Sequence, residues 1–217
     1  MIIGVEGVSC AGKTALANAL VQVLDNPLVV PCYYHAAPHP DLLPAPVAAS
    51  GEEQLAGLTV LLEVEHVRRR RAEEAVSQGR DVIFDRTVDT LLAHTHAVSA
   101  LHGFPIVQAA RQLVLDARPL LPDLTLLLHT SPTVLAARAA KRPGMPPIFY
   151  APDFAQHFIA HFSQPLAPYC TRLDSTPPTA ALVPLALRHI QRSRRAPGIA
   201  HPWQPDPEGP AAEGSAA

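Results

Sequence analysis

Short apolar runs alternate with longer segments of helical spacing along most of this chain. "MIIGVE" is rich in β-branched residues and ends at a glycine, which predicts a buried strand. "TALANALVQVLD" then sets apolar residues three and four apart, a helix that stops near "DNP". "LVVPCYY" predicts a second strand with Pro31 inside it, and residues 36–50, with four prolines, predict an irregular loop. A long helix follows over 51–78, with Ser50 as N-cap, Glu53 completing a capping box and Gly79 ending it. "DVIFD" reads as a strand ending in a carboxylate, and 88–117 as one or two helices broken near "HGFP". "LTLLLHT" is almost continuously apolar, as strands inside parallel sheets are. "SPTVLAARAAKR" begins a helix with a Ser cap and a first-turn proline and runs to "PG". A helix over 153–168, a short strand around Arg172 to Asp174 and a last helix complete the pattern.

Strands alternating with helices predict an α/β fold: five parallel strands covered by helices on both faces. The 217 residues suit one domain, and 48% apolar content suffices for its core. Residues 1–195 are expected to form that domain; 196–217, rich in Pro, Gly and Ala, are expected to be a disordered tail. A formal net charge of -2 gives no global electrostatic case for nucleic acid or an acidic membrane. Cys10, Cys32 and Cys170 form neither a metal spacing nor a disulfide framework, which suits a reducing compartment. No apolar run approaches a membrane span and no leader precedes the first strand, so the expectation is a soluble cytoplasmic protein.

"GVSCAGKT", residues 7–14, matches G-x-x-x-x-G-K-[ST] at every fixed position, with a strand before it and a helix after it. The residue types follow from the chemistry. Gly7 and Gly12 allow backbone turns that point successive N–H groups at an anion, with Ser9, Cys10 and Ala11 between them. Lys13 reaches the β- and γ-phosphates of a nucleoside triphosphate, and the Thr14 hydroxyl holds Mg²⁺. Only Lys13 and Lys141 are lysines, against fifteen arginines, so a lysine at this position is hard to attribute to chance. Cys10 lies near a helix N-terminus; it is either oxidation-sensitive or simply a small residue that fits.

Beyond the loop, the chain resembles the thymidylate kinase and deoxynucleoside kinase group of P-loop kinases. "VEGVSCAGKT" looks like that group's opening, "GRDVIFDRTVDTLLAHTHAV" like its Asp-Arg strand and following helix. "LTLLLHTSPTVLAARAAKR" looks like its strand and arginine-bearing lid helix, and "RLDSTPP" like its late adenine-side loop, which contains Asp174. The resemblance covers roughly residues 1–190 and implies a P-loop NTPase fold with a lid at about 138–152. It also implies ATP and Mg²⁺ as cofactors, a nucleotide or nucleoside-like acceptor, and pairing of two copies through helices beside the Asp-Arg segment.

The same segments make physical sense alone. Asp85 ends a buried strand at the carboxyl edge and can hold Mg²⁺ with Thr14. Arg86 can fork onto phosphate oxygens, the alternative being an ordinary surface ion pair. Arg138, Lys141 and Arg142 share one face of the expected helix, either to meet a triphosphate or as a solvated basic helix end. In "RRRR", residues 68–71, one arginine must point away from solvent. In the resembled family an arginine of this helix contacts the acceptor base, so Arg68 is a candidate, with Glu65 and His66 beside it. His94 stands where that family often places an aromatic near the acceptor base; contact and plain packing are both open.

After the second strand the sequence departs from the family. Thymidylate kinases carry Arg-Glu-Pro there and deoxynucleoside kinases a glutamate base; this chain has "PCYYHAAPHPDL", and Ser9 replaces an acidic loop residue. His35, His39 or Asp41 could supply a base for a hydroxyl acceptor, and Tyr33 or Tyr34 could stack on it. The leading reading is an ATP-dependent phosphotransferase acting on a nucleoside monophosphate or nucleoside-like acceptor. A kinase of a hydroxylated metabolite or antibiotic, and a non-catalytic nucleotide-binding regulator, remain the alternatives.

Overall fold

The computed structural model describes residues 1–142 and 144–195, so the expected tail at 196–217 lies outside the described residues. Five strands form one sheet in the order β2-β3-β1-β4-β5, every neighbouring pair parallel. They are β1 (Ile2–Glu6), β2 (Leu28–Val30), β3 (Val82–Asp85), β4 (Leu124–His129) and β5 (Cys170–Asp174). The helices are α1 (Lys13–Val21), α2 (Tyr33–Ala36), α3 (Gly51–Ser77), α4 (Val88–His102), α5 (Val107–Asp116), α6 (Pro132–Ala139), α7 (Pro152–Ala160) and α8 (Thr179–Arg195).

Alternate strand residues feed opposite faces. Ile3 and Ile83 meet Leu16 and Leu20 of α1 and Leu182 and Ile190 of α8. Ile2, Val82 and Phe84 meet Ala72 and Ala75 of α3. β4 is buried along Leu124–Leu128, as its unbroken apolar run predicts. The central strand β1 lies between β3 and β4, where the chain's order reverses, and ligands of open α/β sheets bind at the carboxyl edge of such a point. Among the described residues, no helix is long and apolar enough to cross a membrane.

Three expectations about elements change. β2 ends at Val30, and Tyr33 and Tyr34 enter the single turn α2 instead of extending the strand. Pro31 has no N–H for the ladder, and β2 is an edge strand with one neighbour. The helix expected to 168 ends at Ala160 in a 3-10 turn, because Gln164 precedes Pro165 and leaves the helical region. The helix from Ser131 ends at Ala139, short of Lys141 and Arg142. The long helix α3 does begin on Ser50, whose hydroxyl accepts from the Glu53 amide at 3.2 Å. The Glu53 carboxylate reaches back one residue further than a capping box requires, to the Ala49 amide at 3.1 Å.

Candidate active site

The turn between β1 and α1 builds the centre of the site. Gly7 (φ +136°) and Gly12 (φ +101°) adopt conformations closed to L side chains, and a Cβ on Gly7 would stand 2.5 Å from the Leu128 carbonyl. Between them Cys10 takes φ 64°, so the backbone curls with its amides toward the first turn of α1. Ser9 and Cys10 are half-buried and Ala11 is buried. Lys13 Nζ donates to the Gly7 and Val8 carbonyls at 2.7 and 2.6 Å. Burial pulls its pKa down to about 7; the nearby Arg86 adds to the fall, and Asp85 and Glu6 oppose it.

Asp85 closes β3 directly beside that loop. Its Oδ2 accepts from Thr14 Oγ1 at 2.6 Å, while Oδ1 is buried without a hydrogen-bond partner. A hydroxyl and a carboxylate with one oxygen uncommitted are hard donors of the type Mg²⁺ takes, so the residues fit that ion. Arg86 follows in the left-handed region (φ 71°), half-buried, its amide donating to the Val5 carbonyl at 3.1 Å. The guanidinium makes no ion pair among the described residues.

α6 brings Arg138 to the same loop. Its Nη1 lies 3.4 Å from the Cys10 and Ala11 carbonyls, and Nη2 donates to the Ser175 carbonyl at 2.7 Å. Lys141 and Arg142 do not share its helical face; they are exposed in the turn after Ala139, where Tyr150 Oη donates to the Arg142 carbonyl at 2.7 Å. Arg142 precedes Pro143, a position that disfavours continued helix. Asp174 is exposed at the end of β5 and accepts from the Thr176 amide at 2.8 Å; the Thr176 hydroxyl and then that amide lower its pKa.

The residues expected on the acceptor side divide in two. Arg68 is fully buried: Nε donates to the Pro31 carbonyl at 2.9 Å, Nη1 to Glu65 Oε2 at 2.5 Å, and Nη2 to the Arg86 carbonyl. Glu65 and Arg68 are therefore turned inward onto the Asp85–Arg86 turn, while His66 is exposed. Tyr34, His35, His39 and Asp41 are exposed in the segment after β2. His35 Nδ1 lies 3.2 Å from Cys32 Sγ, and the Tyr34 ring meets His35 edge-on at 5.4 Å. His94 packs on Phe149 and Phe154 at centroid distances of 5.9 and 5.6 Å. The residue is half-buried, and its Nε2 is shut off from solvent with no hydrogen-bond partner. Burial pulls the imidazole down to about 4, against a hydrogen bond that the ring donates to the Pro46 backbone carbonyl and with help from Arg86.

Sequence reasoning passed over Glu6. It is wholly buried and accepts from the Thr87 amide at 2.6 Å, Thr87 Oγ1 at 2.7 Å and Thr90 Oγ1 at 2.5 Å. Burial raises its pKa against those hydrogen bonds. A glutamate closing an otherwise apolar strand was the available signal.

No protein-family model and no curated protein matches the sequence. Solved structures do. Deoxyadenosine kinase from M. mycoides with bound dATP superposes with a TM-score of 0.67 at 13% identity, covering 88% of this chain and 100% of that one. Thymidylate kinase from Candida albicans superposes with a TM-score of 0.67 at 18% identity, covering 89% and 92%. The fold is that of the nucleoside and nucleotide kinases. At such identities the likeness shows the fold.

Proposed function

We propose that this P-loop protein is an ATP-dependent phosphotransferase that moves the γ-phosphoryl group to a nucleoside or nucleoside monophosphate. One observation carries the reading: Lys13, the Thr14–Asp85 pair, Arg86 and Arg138 converge on a single glycine-shaped loop at the carboxyl edge of the sheet. A nucleotide binder without transfer chemistry has little use for cations on several sides of the same loop.

The division of labour follows from position. The loop amides and the N-terminal end of α1 bind the phosphates. Lys13 leaves the Gly7 and Val8 carbonyls for phosphate oxygens, a competition between neutral and charged acceptors that favours the anion. Thr14 and Asp85 would hold Mg²⁺, which offsets phosphate charge when bound. Arg138, held against the loop by backbone carbonyls, stabilises charge developing on the transferring group, with Arg142 following on the same lid segment. Arg86 sits on the acceptor side of Asp85, where its fork orients an anionic or polar acceptor. The neutral His94 and its aromatic neighbours form the adjoining surface for a base or sugar. Deoxyadenosine kinase and thymidylate kinase, the superposable proteins, bracket this acceptor range by their names.

A hydroxyl acceptor outside that range is favoured by one contact, the Cys32–His35 pair after β2, which orients an exposed imidazole able to accept a proton. ADP release by purified protein with ATP and Mg²⁺ tests both readings when run against nucleosides, monophosphates and small polyols in turn. Stimulation by the first two supports the leading reading; stimulation by polyols alone supports the second.

A further inference from the structure

The short turn that carries Asp85 and Arg86 is gripped from two sides by buried charged groups. We infer that Glu6 and the Glu65–Arg68 pair are positioning residues that hold Arg86 in its left-handed conformation and so aim its guanidinium. The inference rests on the reading of Arg86 as the acceptor-side cation.

A non-glycine residue at φ 71° persists only where its surroundings over-determine it. Here they do. From β1, Val5 accepts the Arg86 amide at 3.1 Å. One residue later Glu6 takes the next amide, that of Thr87, at 2.6 Å together with the Thr87 hydroxyl at 2.7 Å. Its second oxygen holds Thr90 Oγ1 one turn into α4. From α3, Arg68 Nη2 donates to the Arg86 carbonyl and approaches the Asp85 carbonyl at 3.4 Å. The peptide groups on both sides of the Arg86 Cα are thereby fixed.

Arg68 is itself braced. Glu65 takes Nη1, Pro31 takes Nε, and the guanidinium lies 4.1 Å from the Tyr33 ring centroid and 5.1 Å from that of Phe84. A buried carboxylate and a buried ion pair are poor sources of stability, because apolar groups of similar volume would serve the core as well or better. What the charges supply here is direction: three acceptor bonds and a rigid fork converge on one strained turn.

The test compares wild type, Glu6→Gln, Arg86→Ala and the double variant. Transfer from ATP-Mg²⁺ is measured to the deoxynucleoside or monophosphate with the highest turnover, and ATP affinity is measured separately by titration. If no acceptor of the panel is used, slow ADP release to water is measured in the same four proteins. Glu6→Gln is expected to lower kcat about tenfold with ATP affinity unchanged, since misplacement alone costs that much or more. In the Arg86→Ala background the same change is expected to cost less than about twofold, because residues acting through a common group are not additive. Arg68→Lys, which keeps the charge and loses the fork, is expected to show the same dependence on Arg86 and covers the case of a poorly folding Glu6 variant. Equal losses in both backgrounds, or no loss from Glu6→Gln and Arg68→Lys, overturn the inference while leaving the role of Arg86 standing. Unchanged transfer in Arg86→Ala alone overturns that role, and the inference with it.

Discussion

Thr14 Oγ1 donates to Asp85 Oδ2 at 2.6 Å, joining the first turn of α1 to the last residue of β3 across 71 positions of sequence. The other Asp85 oxygen is buried and unpartnered, a costly arrangement for a carboxylate unless a cation or donor meets it. Asp85→Asn retains an oxygen for Thr14 and removes the charge. Its expected effect is a Mg²⁺ requirement for ADP release raised roughly 10–100-fold, with ATP binding in the absence of metal little changed. A Mg²⁺ titration at fixed ATP measures it; an unaltered titration removes Asp85 from the metal role.

Lys13 supplies a pH signature. Burial holds its ammonium at about 7 while it rests on the loop carbonyls, against an ordinary value of 10.5. Between these values the folded chain binds fewer protons than the unfolded one, so this group adds stability as pH rises through that window. A triphosphate reverses the preference and draws the proton back. ATP binding should take up a proton above pH 7, and its affinity should fall by up to tenfold per pH unit there. Calorimetry in buffers of different ionisation enthalpy measures the uptake, and Lys13→Arg abolishes it.

Arg138 and Arg142 should separate. Arg138 touches the loop through the Cys10 and Ala11 carbonyls, whereas Arg142 lies exposed beyond the end of α6. Arg138→Ala should reduce transfer roughly a hundredfold with ATP affinity held within a few-fold. Arg142→Ala should have the smaller effect. Steady-state kinetics beside ATP titration decides, and the reverse order would place the lid's catalytic charge on the wrong residue.

His94 predicts an acid limit. Its imidazole is held at about 4 by burial beside Phe149 and Phe154, below the ordinary 6.5 and against the hydrogen bond to Pro46. The unfolded chain binds the proton first, so this group's contribution is intact above pH 6.5 and is lost as pH falls toward 4. His94→Phe should flatten that part of the curve of unfolding free energy against pH. Denaturant titrations at pH 7, 5.5 and 4.5 test it, and parallel curves would mean the imidazole is not desolvated.

The loop was legible because its requirements are local: glycines where φ is positive, a lysine and a hydroxyl at fixed offsets, all within eight residues. The sheet was legible from β1, β3 and β4, whose apolar runs match their burial. What sequence could not show depends on distant partners. Which of four consecutive arginines turns inward is decided by the Pro31 carbonyl and the faces of Tyr33 and Phe84, none of them near Arg68 in sequence. Glu6 finds its donors in Thr87 and Thr90, 81 and 84 positions away. The shared face expected for Arg138, Lys141 and Arg142 required a helix running to Arg142, and α6 ends at Ala139.

The central claim is that this site transfers phosphoryl groups, and transfer of the labelled γ-phosphate of ATP tests it most directly. Wild type and Lys13→Met are incubated with Mg²⁺ and each nucleoside or monophosphate in turn, and the products are separated. Label is expected on one class of acceptor with wild type and on none with Lys13→Met. Label that remains on ATP, or appears only as inorganic phosphate with every acceptor while ATP binds normally, would contradict it.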